Sequence, residues 1–141
     1  MPPTRKTKTV AKFGPASLAC RGTLHPKLKE LVDAAIAIVD FSIICGHRNK
    51  AAQDAAFNSG TSKKTWPHSR HNVVPSRAFD IVPYPTVWRD IPQFYRLAGV
   101  IQACAYHLDI EIRWGGDWDG DGDFSDQLFN DLAHIELADS E

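Results

Sequence analysis

Sulfur is scarce in this chain, and what there is shows no pairing pattern. Cys20, Cys45 and Cys104 are odd in number and widely spaced, with no CxxC among them. That argues against a disulfide scaffold and a cysteine-based zinc knuckle, and leaves small apolar thiols packed as inert residues. An excess of either charge is missing too. Sixteen Lys and Arg against seventeen Asp and Glu give a formal net charge of -1. No global field therefore favours nucleic acid or an anionic membrane surface. No apolar run approaches the roughly 20 residues of a membrane span. The basic start, with Arg5, Lys6 and Lys8, is not followed by the unbroken apolar stretch of a secretory signal. The expectation is a protein made and left in the cytoplasm, without membrane insertion. Internal repeats, low-complexity blocks and Gly/Ser linkers are also lacking.

What remains is ordinary globular material: 141 residues, 43% hydrophobic and 23% charged, enough for one domain with a real core. Residues 1–12 read as a flexible basic tail and 13–141 as a single domain. From His25 to Val39, Leu28, Leu31, Val32, Ala35, Ile36 and Val39 recur at helical spacing, with Pro26 suited to the first turn. FSIIC (Phe41–Cys45) reads as a buried strand, and Lys50 to Asn58 as a helix stopped by Gly60. Gly60 to Ser76 is polar and broken by prolines, which predicts a long loop of the functional kind. AFDIV (Ala78–Val82) reads as a strand, Ile91 to Leu108 as a second strong helix, and Ile110–Trp114 and His134–Leu137 as strands. Long helices with short strands that do not strictly alternate indicate an α+β fold.

Three separated stretches carry residues of metal chemistry: Ser69-Arg70-His71, then Asp80 inside AFDIV, then Asp131-Leu132-Ala133-His134. Two imidazoles and a carboxylate suit a catalytic Zn2+, which takes three protein ligands and keeps one position for water. His71, Asp80 and His134 are the candidate ligands. Asp131 is the candidate general base, since such a site needs a carboxylate to move the water's proton to the leaving amine. Residues three apart on an ideal strand face opposite ways, so Asp131 is expected in the turn before the last strand. Spacing alone also allows a loop histidine, a paired carboxylate and a satisfied core histidine. Arg48 offers a planar guanidinium suited to a carboxylate, with a surface salt bridge as its plainer alternative.

DWDGDGD places Asp117, Asp119, Asp121 and Asp123 at alternate positions, with Gly122 at the tight turn. This matches the first half of a calcium loop. The second half does not match, because position twelve is Leu128, although Asp126 is a possible substitute ligand. Ca2+ is thus a candidate second ion. A solvated acidic turn and a loop that meets substrate are the alternatives.

SRHNVVPSRAFDIVPYP (Ser69 to Pro85) together with DLAHIEL (Asp131 to Leu137) resembles the LAS family of zinc peptidases. That family holds D-alanyl-D-alanine carboxypeptidases, the dipeptidases behind vancomycin resistance, and phage L-alanyl-D-glutamate endolysins. Arg48, in ICGHRNKAAQDAAFNSGTS, looks like the family's arginine ahead of a Gln-bearing helix. HPKL (His25–Leu28) and RWGGDWDGDGD (Arg113–Asp123) resemble the phage endolysin branch. One interval departs from the pattern. His71 and Asp80 are nine positions apart where seven is usual, consistent with a two-residue insertion in the loop.

The resemblance implies a small antiparallel sheet with flanking helices, of the hedgehog/D,D-peptidase kind. It implies zinc on His71, Asp80 and His134, Asp131 as base, and Arg48 on a substrate carboxylate. Ser69 is grouped with Arg48 on the substrate side, orienting rather than attacking. The implied partner is bacterial peptidoglycan and the implied bond L-Ala–D-Glu, cut by a monomer held in the host cytoplasm until lysis. D,D- or L,D-carboxypeptidase action, and a non-catalytic, calcium-dependent wall-binding module, are the alternatives.

Overall fold

The computed structural model describes residues 10–122 and 131–138. Among these, four strands form one antiparallel sheet in the order β1-β2-β4-β3: β1 Phe41–Cys45, β2 Ala78–Pro83, β3 Ile112–Gly115 and β4 Asp131–Leu137. The helices are α1 Pro15–Gly22, α2 Pro26–Ile36, α3 Lys50–Asn58 and α4 Ile91–His107. No helix among the described residues is long and apolar enough to cross a membrane.

The core lies between one face of the sheet and helices α2 and α4. Leu28, Leu31, Val32 and Ala35 of α2 and Leu97, Ala98 and Ile101 of α4 pack on Phe41, Ile43, Phe79, Ile81, Trp114, Ile135 and Leu137. Each fully buried Leu, Ile or Phe here contributes about 1.5–3 kcal/mol. Successive strand residues face opposite sides. With Phe79, Ile81, Ile135 and Leu137 turned into the core, Asp80, His134 and Glu136 must occupy the other face. The polar cluster is thus a direct consequence of burying the apolar one.

Helix α2 starts at Pro26, with His25 Nδ1 accepting the Lys27 amide at 3.1 Å. Asn49 caps α3 by accepting the Ala52 amide at 2.9 Å. Helix α1 was not anticipated from the sequence. Ser17 is its one buried side chain, so PASLACRG shows no apolar stripe. It lies against the edge strand, where Ser17 Oγ accepts the Ile43 amide at 3.0 Å and occupies an otherwise unpaired edge donor.

The expected loop from Gly60 to Ser76 contains a 3-10 turn, Arg70–Asn72, and is anchored at both ends. Gln53, fully buried, donates to Ser62 Oγ at 3.0 Å and to the Lys64 carbonyl at 2.7 Å. At the far end, Ser76 bonds through its backbone to Thr23 and His25, each at 2.8 Å. The extra length between His71 and Asp80 emerges where Val73 and Val74 are exposed, so it does not push the flanking residues apart.

Candidate metal centre

Strand register brings the first two candidate ligands together. Asp80 of β2 is paired directly with His134 of β4, and directly opposed residues share a sheet face. His134 Nδ1 lies 3.2 Å from Asp80 Oδ1. His71 arrives on the 3-10 turn, whose entry Ser69 fixes by accepting the His71 amide at 3.2 Å while Asn72 Oδ1 accepts the Ser69 amide at 3.0 Å. Its Nε2 lies 3.2 Å from His134 Nδ1 and 3.4 Å from Asp80 Oδ1. Donors about 2.0–2.1 Å from a tetrahedral zinc lie about 3.3–3.4 Å apart, so these three atoms form one face of such a tetrahedron. Two imidazole nitrogens and one carboxylate oxygen are also a donor set that catalytic zinc uses.

The remaining ring nitrogens are both engaged. His71 Nδ1 lies 2.8 Å from the Gly46 carbonyl, an acceptor only, so it carries the proton and leaves the Nε2 lone pair inward. His134 Nε2 meets Glu136 Oε1 at 2.8 Å. Burial opposes charge on both rings, but Asp80 outweighs it: His71 is pushed up to about 10 and His134 is also raised. Asp80 is buried as well, yet the His134 and His71 rings hold it far below the usual carboxylate range. Without a metal, the cluster therefore gathers a proton where a cation would sit.

Asp131 joins Asp80 and His134, their ligand atoms falling within 4.8 Å of one another. Asp131, expected in a turn ahead of the strand, is the first residue of β4 itself. The pairing instead shifts register. Trp114 opposes Ile135 while the next residue, Gly115, opposes Asp131. This irregularity re-aims Asp131 toward His134, as an ideal three-residue step could not. A Cβ at Gly115 would collide with the Asp131 carbonyl, so the approach needs glycine. Burial, and then the charge of Asp80, raise the pKa of Asp131.

Arg48 lies at the edge of the same cluster. Its Nη2 is 3.6 Å from Asp80 Oδ2, and its Nη1 donates to Gln53 Oε1 at 3.0 Å. Cys45, expected as an inert packed thiol, is half-buried and sits at the site, its sulfur within 4.8 Å of ligand atoms of His71 and Asp80. Its sulfur is 3.7 Å from His71 Nδ1, the nitrogen turned to Gly46 and away from the converging atoms. Trp118 leans over His134 with ring centroids 5.3 Å apart. It also lines a cavity of about 540 Å³ together with Gln102, Arg113, Trp114 and Asp117.

A family model described as phage L-alanyl-D-glutamate peptidase matches residues 9–138. The chain belongs to that family. It is 29% identical over 135 residues to the L-alanyl-D-glutamate peptidase of Escherichia phage T5, covering 90% of this chain and 98% of that relative. Among solved structures it resembles the Serratia marcescens L-Ala D-Glu endopeptidase ChiX, with a TM-score of 0.69 and 25% identity over 87% of this chain and 86% of that one.

Membership in the phage L-alanyl-D-glutamate peptidases makes the chain a peptidase of α+β fold. Besides Cys45, two residues of its site escaped the sequence. Glu136 has a legible signal, lying two positions beyond His134 and hence on the same strand face. Gln53 had only the hint of a Gln-bearing helix after Arg48. Fully buried, it fixes Arg48 and also accepts from Asn72 Nδ2 at 3.1 Å. Of the acidic loop, Asp117, Asp119 and Asp121 bring carboxylate oxygens within 4.8 Å of one another, while Asp123 lies outside the described residues.

Proposed function

We propose that the chain is a zinc endopeptidase that hydrolyses the L-alanyl–D-glutamate bond of the peptidoglycan stem peptide. His71, Asp80 and His134 are its metal ligands and Asp131 its general base. The observation that carries this is the triangle of donor atoms with edges of 3.2–3.4 Å. Zinc in such a site supplies an acidified water, with a pKa near 7, and a Lewis acid for the scissile carbonyl.

The chain's own side chains do the rest. Asp131 takes the proton of the attacking water and passes it to the departing amine, so one water is consumed and a carboxylate and an amine are released. Its raised pKa brings it closer to the working range of a base used near neutral pH. Arg48, held in place by Gln53 and beside Asp80, is suited to a carboxylate of the stem peptide. Ser69 acts through the backbone of His71, as a cap to the turn that presents the ligand. Trp118 forms a wall of the adjoining cavity, against which an extended peptide can lie.

On purified peptidoglycan the enzyme is expected to free stem-peptide fragments with new D-glutamate amino termini. Terminal D-alanine as the only product would instead make it a carboxypeptidase. Asp131→Ala should lower turnover by about 10²–10⁴-fold, the usual worth of a general base, while zinc content stays near one equivalent. Normal lysis by that variant would remove Asp131 from the mechanism. The chain works as a monomer that stays in the host cytoplasm until it gains access to the wall.

A second ion is favoured by one detail. Asp117 is buried, and its Oδ1 has no hydrogen-bond partner among the described residues, while its Oδ2 accepts the Gly122 amide at 3.0 Å. Gly120 and Gly122 have φ of +68° and +80°, which folds the loop tightly round these carboxylates. A hard, oxygen-seeking cation such as Ca2+ suits Asp117, Asp119 and Asp121.

A further inference from the structure

We infer that Glu136 is a positioning residue of the metal centre, orienting the ring of His134, and that Arg70 and Arg113 lock it in place. The inference rests on the zinc reading above and extends it to residues that do not ligate the metal. An imidazole ligand presents a lone pair from one nitrogen only if the other carries the proton. His134 Nε2 is 2.8 Å from Glu136 Oε1, and an ionised carboxylate can only accept. With a cation held between Nδ1, Asp80 Oδ1 and His71 Nε2, the proton belongs on Nε2, and Glu136 holds the ring so that Nδ1 faces those two atoms.

The two oxygens of Glu136 are divided between two tasks. Oε1 serves His134. Oε2 accepts from Arg113 Nη2 at 2.9 Å and faces Arg70 Nε at 3.3 Å. Glu136 is only 7% exposed, so an ionised carboxylate there needs such partners to stay charged. The pair of arginines comes from different segments. Arg113 is the register partner of Glu136 on β3. Arg70 directly precedes His71 on the 3-10 turn. One carboxylate thus ties β3, β4 and the turn that delivers the other imidazole ligand. Removing it frees the ring of His134 to turn and loosens the carrier of His71 together.

Partners of this kind, when mutated, typically cost 10–100-fold in metal affinity. Glu136→Ala should weaken zinc binding by that factor, read by competition with a chromophoric chelator. Glu136→Gln keeps an acceptor for Nε2–H but cannot hold both guanidinium groups, so it should recover part of the loss. Arg113→Ala should fall between the parent and Glu136→Ala.

Far-UV circular dichroism checks folding. If the alanine variant does not fold, Glu136→Gln and Arg113→Ala carry the test. Zinc affinity within twofold of the parent in all folded variants overturns the inference, as does a Glu136→Gln variant that recovers nothing relative to Glu136→Ala. A parent that binds no zinc would sink the metal reading itself, a result distinct from variants that all bind zinc as the parent does.

Discussion

Two imidazoles and a carboxylate in mutual contact leave an electrostatic problem that a proton solves when no metal is present. Burial opposes the charge of His71, yet Asp80 pushes its pKa up to about 10, well above that of an ordinary imidazole. A group with a raised folded pKa stabilises fully below its unfolded pKa and loses that contribution as pH climbs through the folded one. Asp80 behaves oppositely, its contribution holding above the ordinary carboxylate range and fading in acid. Zinc-free protein should therefore lose melting temperature steadily from about pH 7 to about pH 10. The zinc-loaded form, whose imidazoles bind as neutral ligands, should not follow it over that interval. A thermal-shift series across pH with and without chelator reads this directly, and parallel curves would discount the bound proton. The ligand residue types were visible in the sequence; their protonation was not, because it depends on distances of a few ångströms between segments 54 residues apart.

Among elements, β4 shows what periodicity predicts and where it stops. Alternation explains why His134 and Glu136 share a face while Ile135 and Leu137 enter the core. Applied to Asp131, the same rule predicts a turn, and the structure has a strand with a register shift instead. The sequence cue was present as Gly115 and Gly116, a pair in a strand-like context, but a glycine does not announce which backbone will approach it. Gly115→Ala should displace Asp131, lowering kcat by at least tenfold while zinc stoichiometry stays at one. Unchanged kcat would mean that the close approach is irrelevant to the base. Helices α2, α3 and α4 were legible through their spacing and caps. Helix α1 was not, since a helix that buries one serine offers no pattern to read. Glu136 went unread for a related reason: an acid alternating with apolar residues normally marks a solvated face, and here that face is the site.

At the scale of the whole molecule, the core and the metal centre are two sides of one sheet, so packing on one side sets distances on the other. The acidic loop reaches this sheet through Trp118, which leans on His134, and through Asp117, beside the end of β3. Calcium binding at Asp117, Asp119 and Asp121 should therefore raise turnover as well as melting temperature. Isothermal titration with Ca2+ should give binding heat that Asp117→Ala abolishes. A titration showing neither heat nor a change in activity removes that ion from the scheme. The motifs in the sequence pointed to the family that the match over residues 9–138 shows, and the α+β architecture agrees with it. The coupling of loop to sheet was not legible there, since it depends on ring contacts across the fold.

The pairing of Asp80 with His134 has a consequence for the life of the polypeptide. β4 follows every other described element in chain order, yet on the proposed assignment it carries both an imidazole ligand and the base. A ribosome that has finished β2 would have made two of the three proposed ligands, so the site stays incomplete until β4 settles between β2 and β3.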